Sequence, residues 1–192
     1  QAELAIRDSQ QQGERDSVAG RRNPAHPAGF DTVVFDLGGV LIDWNPRHLY
    51  RKLFQREDAM EEFLAEVCTG GWNAEQDRGR PFAEATAMLV ERHPHHEAMI
   101  EAFFARWTEM LNGPIHGTVA ILETLHERRV PLYALTNWSA ETWRLARPLF
   151  PFLDRFRGIL VSGEVGLIKP DPAIYRRLSD DFAIQPCQAV FI

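Results

Sequence analysis

The segment Thr32-Val33-Val34-Phe35-Asp36-Leu37-Gly38-Gly39-Val40-Leu41-Ile42 constrains the fold more than any other. β-Branched and aromatic residues run without alternation into a carboxylate, and two glycines precede a second apolar run. A short, continuous run of this kind reads as a strand buried on both faces of a parallel sheet. Asp36 then stands at the strand's C-terminal end, where open α/β sheets take their ligands. Gly38 and Gly39 let the backbone turn sharply and approach a substrate closely. Alone, the stretch also reads as a buried strand whose trailing Asp caps a loop.

Two further stretches repeat the pattern. Leu132-Tyr133-Ala134-Leu135 is a second buried run, ending in Thr136-Asn137. Gly166-Leu167-Ile168-Lys169-Pro170 places a lysine after a third strand, and Pro170 and Pro172 restrict the loop that carries it. Asp, Thr and Lys, each after a buried strand and in that order, resemble the haloacid dehalogenase-like (HAD) hydrolase superfamily. The resemblance runs over residues 30–192. It is closest to the branch with a small helical cap, whose members include phosphatases and 2-haloacid dehalogenases.

Residues 44–113 carry helical patterning throughout. Four helices are expected there: Pro46 to Phe54, Asp58 to Val67, Pro81 to Arg92, and His96 to Leu111. Phe103, Phe104, Trp107 and Leu111 recur at helical spacing in the last. A crossover between parallel strands needs only one helix, so the segment reads as an inserted bundle over the sheet's ligand end. After Gly113 the pattern alternates: helix Thr118–Arg129, strand Leu132–Leu135, helix from Ser139 as N-cap, strand Gly158–Val161, helix Pro172–Phe182 and strand Ala189–Ile192. The expected fold is therefore α/β. It is a doubly wound, Rossmann-like parallel sheet built from 30–43 and 114–192, with 44–113 as helical cap. Residues 1–29 are rich in Gln, Arg, Asp, Gly and Pro and are expected to be disordered.

Composition sets the outer limits. A formal charge of −6 argues against nucleic acid and against an anionic membrane surface as main partners. No apolar run is long enough for a membrane span. Cys68 and Cys187 are the only cysteines and read as reduced, buried thiols of a cytoplasmic protein. His93, His95 and His96 surround Pro94 and read as a solvated turn between cap helices rather than a metal cluster. Nothing in the sequence speaks to oligomeric state.

The resemblance implies the chemistry. Asp36 takes the place of the family's nucleophile, which forms a covalent aspartyl intermediate. In family phosphatases Mg²⁺ sits beside that residue, held by the Asp carboxylate, the backbone carbonyl two residues on, and an acidic residue from a later loop. Here that carbonyl is Gly38's. Magnesium favours hard oxygen ligands and takes few protein carboxylates. Thr136 corresponds to the Ser/Thr that bonds a phosphoryl oxygen, and Asn137 could add a side-chain contact. Lys169 neutralises charge on the nucleophile and the transferring group. Trp72, Asn73, Gln76 and Asp77, in the glycine-rich connection Gly70-Gly71-Trp72-Asn73, are where substrate selection is expected. The alternative there is a plain helix connection with Trp72 packed among the cap's apolar residues.

Two departures matter. Most family phosphatases carry a second Asp at position 38, a general acid and base; Gly38 has no side chain to move a proton. Such catalysis is typically worth about 10²–10⁴-fold. Asp43 and His48 lie near enough in sequence to be considered as substitutes. The family's acidic fourth motif also follows strand four, and this sequence reaches Ile192 inside that strand. The expectation is an incomplete sequence, weak magnesium binding and poor catalysis. The first functional reading is a Mg²⁺-dependent phosphatase of a small phosphorylated metabolite. A 2-haloacid dehalogenase is the second, although that group commonly has an aromatic residue two after the nucleophile. A non-catalytic binding module is the third.

Overall fold

The structure is a computed structural model and describes residues 29–192. The expectation for residues 1–28 of the N-terminal segment lies outside them. β1 (Thr32–Phe35) leads through a glycine turn into β2 (Ile42–Trp44). A helical stretch follows: α1 (Arg47–Tyr50), α2 (Glu57–Glu66), α3 (Gly70–Asp77), α4 (Phe82–Arg92) and α5 (Glu97–Ala105). A 3-10 turn (Trp107–Met110) enters β3 (Leu111–Pro114), which pairs antiparallel with β2 and closes the helical excursion at its base. Then come α6 (His116–Glu127), β4 (Leu132–Thr136), α7 (Ala140–Ala146), β5 (Gly158–Val161), α8 (Ser162–Val165), α9 (Pro172–Phe182) and β6 (Ala189–Phe191).

The main sheet has the order β5-β4-β1-β6 with every pairing parallel. β1, β4 and β5 end in buried residues on both faces, as their unbroken apolar runs require, whereas the edge strand β6 leaves Phe191 exposed. Phe35, Leu132, Ala134 and Val161 belong to one core cluster, which continues into the helical segment through Met60, Phe63, Phe82 and Phe103. Val34, Leu135 and Leu160 face the other way, against Ile174 and Leu178 of α9. Successive strand residues thus feed opposite layers, and this α/β arrangement is the one expected. No helix among the described residues is long and apolar enough to cross a membrane.

Three local expectations need correction. The glycine-rich stretch 70–73 is not a connection but the first turn of α3. Thr69 is its N-cap, with Oγ1 accepting from the Trp72 N–H at 3.0 Å, and that bond offsets the poor helix propensity of Gly70 and Gly71. The helix expected from His96 to Leu111 stops at Ala105, and Leu111 becomes the first residue of β3. Cys68 is buried as expected, but Cys187 is exposed.

One glycine ties the sheet to the site. A Cβ on Gly163 would stand 2.5 Å from the Ala140 nitrogen and 2.8 Å from the Trp138 carbonyl oxygen, both backbone atoms. Gly163→Ala is therefore expected to lower unfolding stability by about 1–3 kcal/mol, measured by denaturant titration.

Candidate active site

Parallel strands place their C-terminal ends on one edge. Phe35 pairs with Ala134, so Asp36 and Thr136 leave adjacent strand ends one residue out of step. The Asp36 N–H donates to the Ile192 carbonyl at 2.8 Å, which fixes its backbone against β6. The Leu37 N–H donates to Asp36 Oδ1 at 2.8 Å. Oδ2 meets Lys169 Nζ at 2.7 Å, with the lysine side chain 13% and the carboxylate 29% exposed. The pair is sheltered, yet the carboxylate can still be reached.

The lysine arrives by a definite route. Gly166 ends α8 in a left-handed conformation, φ 71°, and turns the chain back toward the strand ends. Asn137 then holds the arriving segment: its Oδ1 accepts from the Lys169 N–H at 2.8 Å, and its Nδ2 donates to the Lys169 carbonyl at 3.1 Å. Lys169 Nζ also donates to the Leu135 carbonyl at 3.1 Å. The Asn137 amide is thus engaged with the lysine's backbone. Asn137→Ala removes two bonds of about 0.5–1.5 kcal/mol each; a drop in melting temperature together with a lower kcat is the expected outcome.

Thr136 is 1% exposed. Its Oγ1 has no hydrogen-bond partner among the described residues. A buried hydroxyl without a partner is costly, so the orphan atom at a strand end is informative.

A cavity of about 50 Å³ opens beside these residues, lined by Gly38, Trp44, Asn73, Asp77, Trp107, Asn137, Trp138 and Thr142. Gly38 presents open space, since a Cβ there would meet nothing within 4 Å. Gly39 is exposed, at φ 76°, and its N–H closes the turn on the Ile42 carbonyl at 2.9 Å. Asn73 reaches the cavity; Trp72 does not line it. The Trp72 ring packs edge-on to Phe103 at 4.9 Å, and its indole N–H donates to the Ala85 carbonyl at 3.4 Å. Gln76 is fully buried and accepts from Arg80 at 2.9 Å. Asp43 and His48 pair with each other at 3.1 Å. Asn112 and His48 both donate to Asp43 and hold its carboxyl below the usual range, which suits a permanent carboxylate and not an acid.

The description of one family model, haloacid dehalogenase-like hydrolase, matches residues 30–192. The chain belongs to that family. It is 24% identical over 164 residues to the sesquiterpene phosphatase astK of Aspergillus oryzae, covering 85% of this chain and 80% of that one. Its fold is similar to a HAD-family enzyme of Bacteroides thetaiotaomicron solved as a magnesium complex, with TM-score 0.64, 21% identity, and 85% and 83% of the two chains covered. It is also similar to an L-2-haloacid dehalogenase of Xanthobacter autotrophicus with chloropropionic acid covalently bound, with TM-score 0.58, 16% identity, and 84% and 69% covered.

Among the described residues of this HAD-like hydrolase, no group of three or more His, Cys, Asp or Glu side chains could hold a metal ion. The donors at the strand end are instead the Asp36 carboxylate and the Gly38 carbonyl, to which no backbone N–H among the described residues donates. These are hard oxygens beside open space. They fit magnesium, which is commonly held by one or two carboxylates with water and substrate phosphate completing its shell.

The residues that sequence reasoning passed over are Trp44, Trp107 and Trp138, which wall the cavity. Asp77 was grouped with substrate selection only. Burial pushes its carboxyl up to about 7, even though the Ser139 backbone N–H favours its charged form. The signal for it was the Asn73/Asp77 spacing of four, one face of a helix once Thr69 is read as a cap.

Proposed function

We propose that this chain is a magnesium-dependent phosphohydrolase acting on a small phosphorylated metabolite through an aspartyl-phosphate. The observation that carries the reading is the orphan Thr136 hydroxyl, buried at the strand end next to the Asp36–Lys169 pair. A phosphoryl group on Asp36 has oxygens to accept from it. Asp36 attacks phosphorus with the oxygen not committed to the Leu37 N–H. Lys169 faces that oxygen and offsets charge as it is shared with phosphorus. Thr136 Oγ–H donates to an equatorial phosphoryl oxygen, where charge is spread in the transition state. Bound at Asp36 and Gly38, magnesium would reduce the repulsion between carboxylate and phosphate.

Residues 44–113 serve in this reading as the cap, and α3 is one of the parts of it that meet the core. Asn73 touches the substrate's non-phosphate portion, whereas Trp72 acts by packing α3 in place. Gly39 shapes the turn that presents the Gly38 carbonyl. The phosphatase relative supports this choice of reaction.

The test is phosphate release from an aryl phosphate with magnesium, then with excess chelator. Chelation is expected to remove the activity and added magnesium to restore it. Chloride release from a 2-haloacid that persists in chelator would instead favour the dehalogenase reading.

A further inference from the structure

A phosphate ester with a poor leaving group needs a proton delivered to the departing oxygen. Asp36 is the nucleophile in the reading above, and Lys169 is bonded to it and to the Leu135 carbonyl. Gly38 has no side chain. Among the residues lining the cavity, Asp77 alone carries an ionisable group.

Its position is set from both sides. The Asp77 backbone carbonyl accepts from Ser162 Oγ at 2.6 Å, and the same oxygen of Ser162 accepts from the Trp138 N–H at 2.8 Å. Asn73 Nδ2 donates to Asp77 Oδ2 at 3.3 Å, and the Ser139 N–H also donates to the carboxyl. The C-terminal end of α3 is therefore pinned to the loops that follow β4 and β5, the strand-end edge that carries Thr136. A proton carrier must be held this firmly to act on one atom.

The surrounding charges leave it isolated. Arg78 lies toward Glu75 at 3.9 Å, and Arg80 is bonded to Gln76 and to the Trp72 carbonyl. On α4, α7 and α8, the residues Glu84, Glu91, Arg92, Arg144 and Glu164 are exposed. Glu141 accepts from the Phe82 N–H. On the core side stand Asp36 and Lys169, paired with each other.

We propose that Asp77 is the general acid and base of this site, supplied by α3 rather than by the nucleophile loop. The role rests on the phosphohydrolase reading. In the first step the Asp36–phosphorus bond forms and the phosphorus–oxygen bond to the leaving group breaks. The Asp77 proton passes to that oxygen, releasing an alcohol. In the second step water attacks phosphorus, its proton goes to the Asp77 carboxylate, and the Asp36–phosphorus bond breaks. Inorganic phosphate leaves, with both carboxyls as they began.

The test compares wild type and Asp77→Asn on p-nitrophenyl phosphate and phenyl phosphate with magnesium, reading kcat/KM. The nitrophenolate leaves without help, so its kcat/KM is expected to change by less than about threefold, while that of phenyl phosphate falls by about 10²-fold or more. An alkaline limb near pH 7 is expected for wild type on phenyl phosphate and is expected to vanish in the variant. Its kcat on nitrophenyl phosphate is expected to fall as well, because water attack on the aspartyl-phosphate needs the Asp77 base, and denaturant unfolding checks independently that the variant is folded. Equal losses on both substrates, or none on either, would overturn the role of Asp77 while leaving the phosphohydrolase reading in place. Wild type that hydrolyses neither substrate would overturn both.

Discussion

Replacing Asp36 with Asn is expected to stop turnover, with kcat falling on the order of 10⁴-fold or more. The amide keeps the shape of the carboxylate and can still accept from the Leu37 N–H, as Oδ1 does at 2.8 Å. It has no anionic oxygen to attack phosphorus, so the covalent route closes. The variant is expected to fold, because Lys169 retains its bond to the Leu135 carbonyl and the main sheet is untouched. Steady-state kinetics check the rate. Intact-protein mass spectrometry during turnover checks the chemistry: a phosphorylated species is expected in wild type and absent in Asp36→Asn. Hydrolysis that survives the substitution would sink the aspartyl route, since among the described residues no other carboxylate is paired with Lys169.

Why Asp36, Thr136 and Lys169 could be read from sequence while Asp77 could not is a matter of range. The first three sit next to continuous apolar runs, and parallel pairing sends every strand end to one edge without further information. β3 shows the contrary case. Leu111-Asn112-Gly113-Pro114 has no strand pattern of its own; it is extended because β2 lies beside it, with Ile42 opposite Pro114. The helical spacing of Phe103, Phe104 and Trp107 ran on across that boundary and hid it. α3 was misread for a local reason: two glycines outweighed a Thr cap. Asp77 was obscured by both. Charged residues in a helical stretch usually face water, and its burial depends on Ser139 and Ser162, far along the chain. Asn137 looked like a substrate contact because nothing local shows that its amide clasps the backbone of Lys169.

The cost of holding Asp77 in place is expected to appear in stability. Its carboxyl is raised from 3.8 to about 7 by burial. A carboxyl whose pKa is higher folded than unfolded favours folding only while it is protonated in both states. Below pH 4, wild type and Asp77→Asn are therefore expected to differ little on this account. Between about pH 4 and 7 the unfolded chain ionises freely while the folded one resists, and wild type loses stability relative to the variant. Above pH 7 the gap levels off. At about 1.4 kcal/mol per pKa unit, the shift sets an upper bound of roughly 4 kcal/mol. Denaturant unfolding of both proteins at intervals from pH 4 to 9 measures the gap directly. A gap independent of pH would mean that the folded protein does not keep this proton. A gap that widens to pH 7 and then holds would mean that Asp77→Asn is the more stable protein and, on phenyl phosphate, the poorer enzyme. Stability lost at a site that activity requires is the usual mark of a group retained for chemistry rather than packing. A residue kept only to dock α3 would have no reason to ionise, because the Ser162 hydroxyl is bonded to the Asp77 backbone and would stay so in the amide.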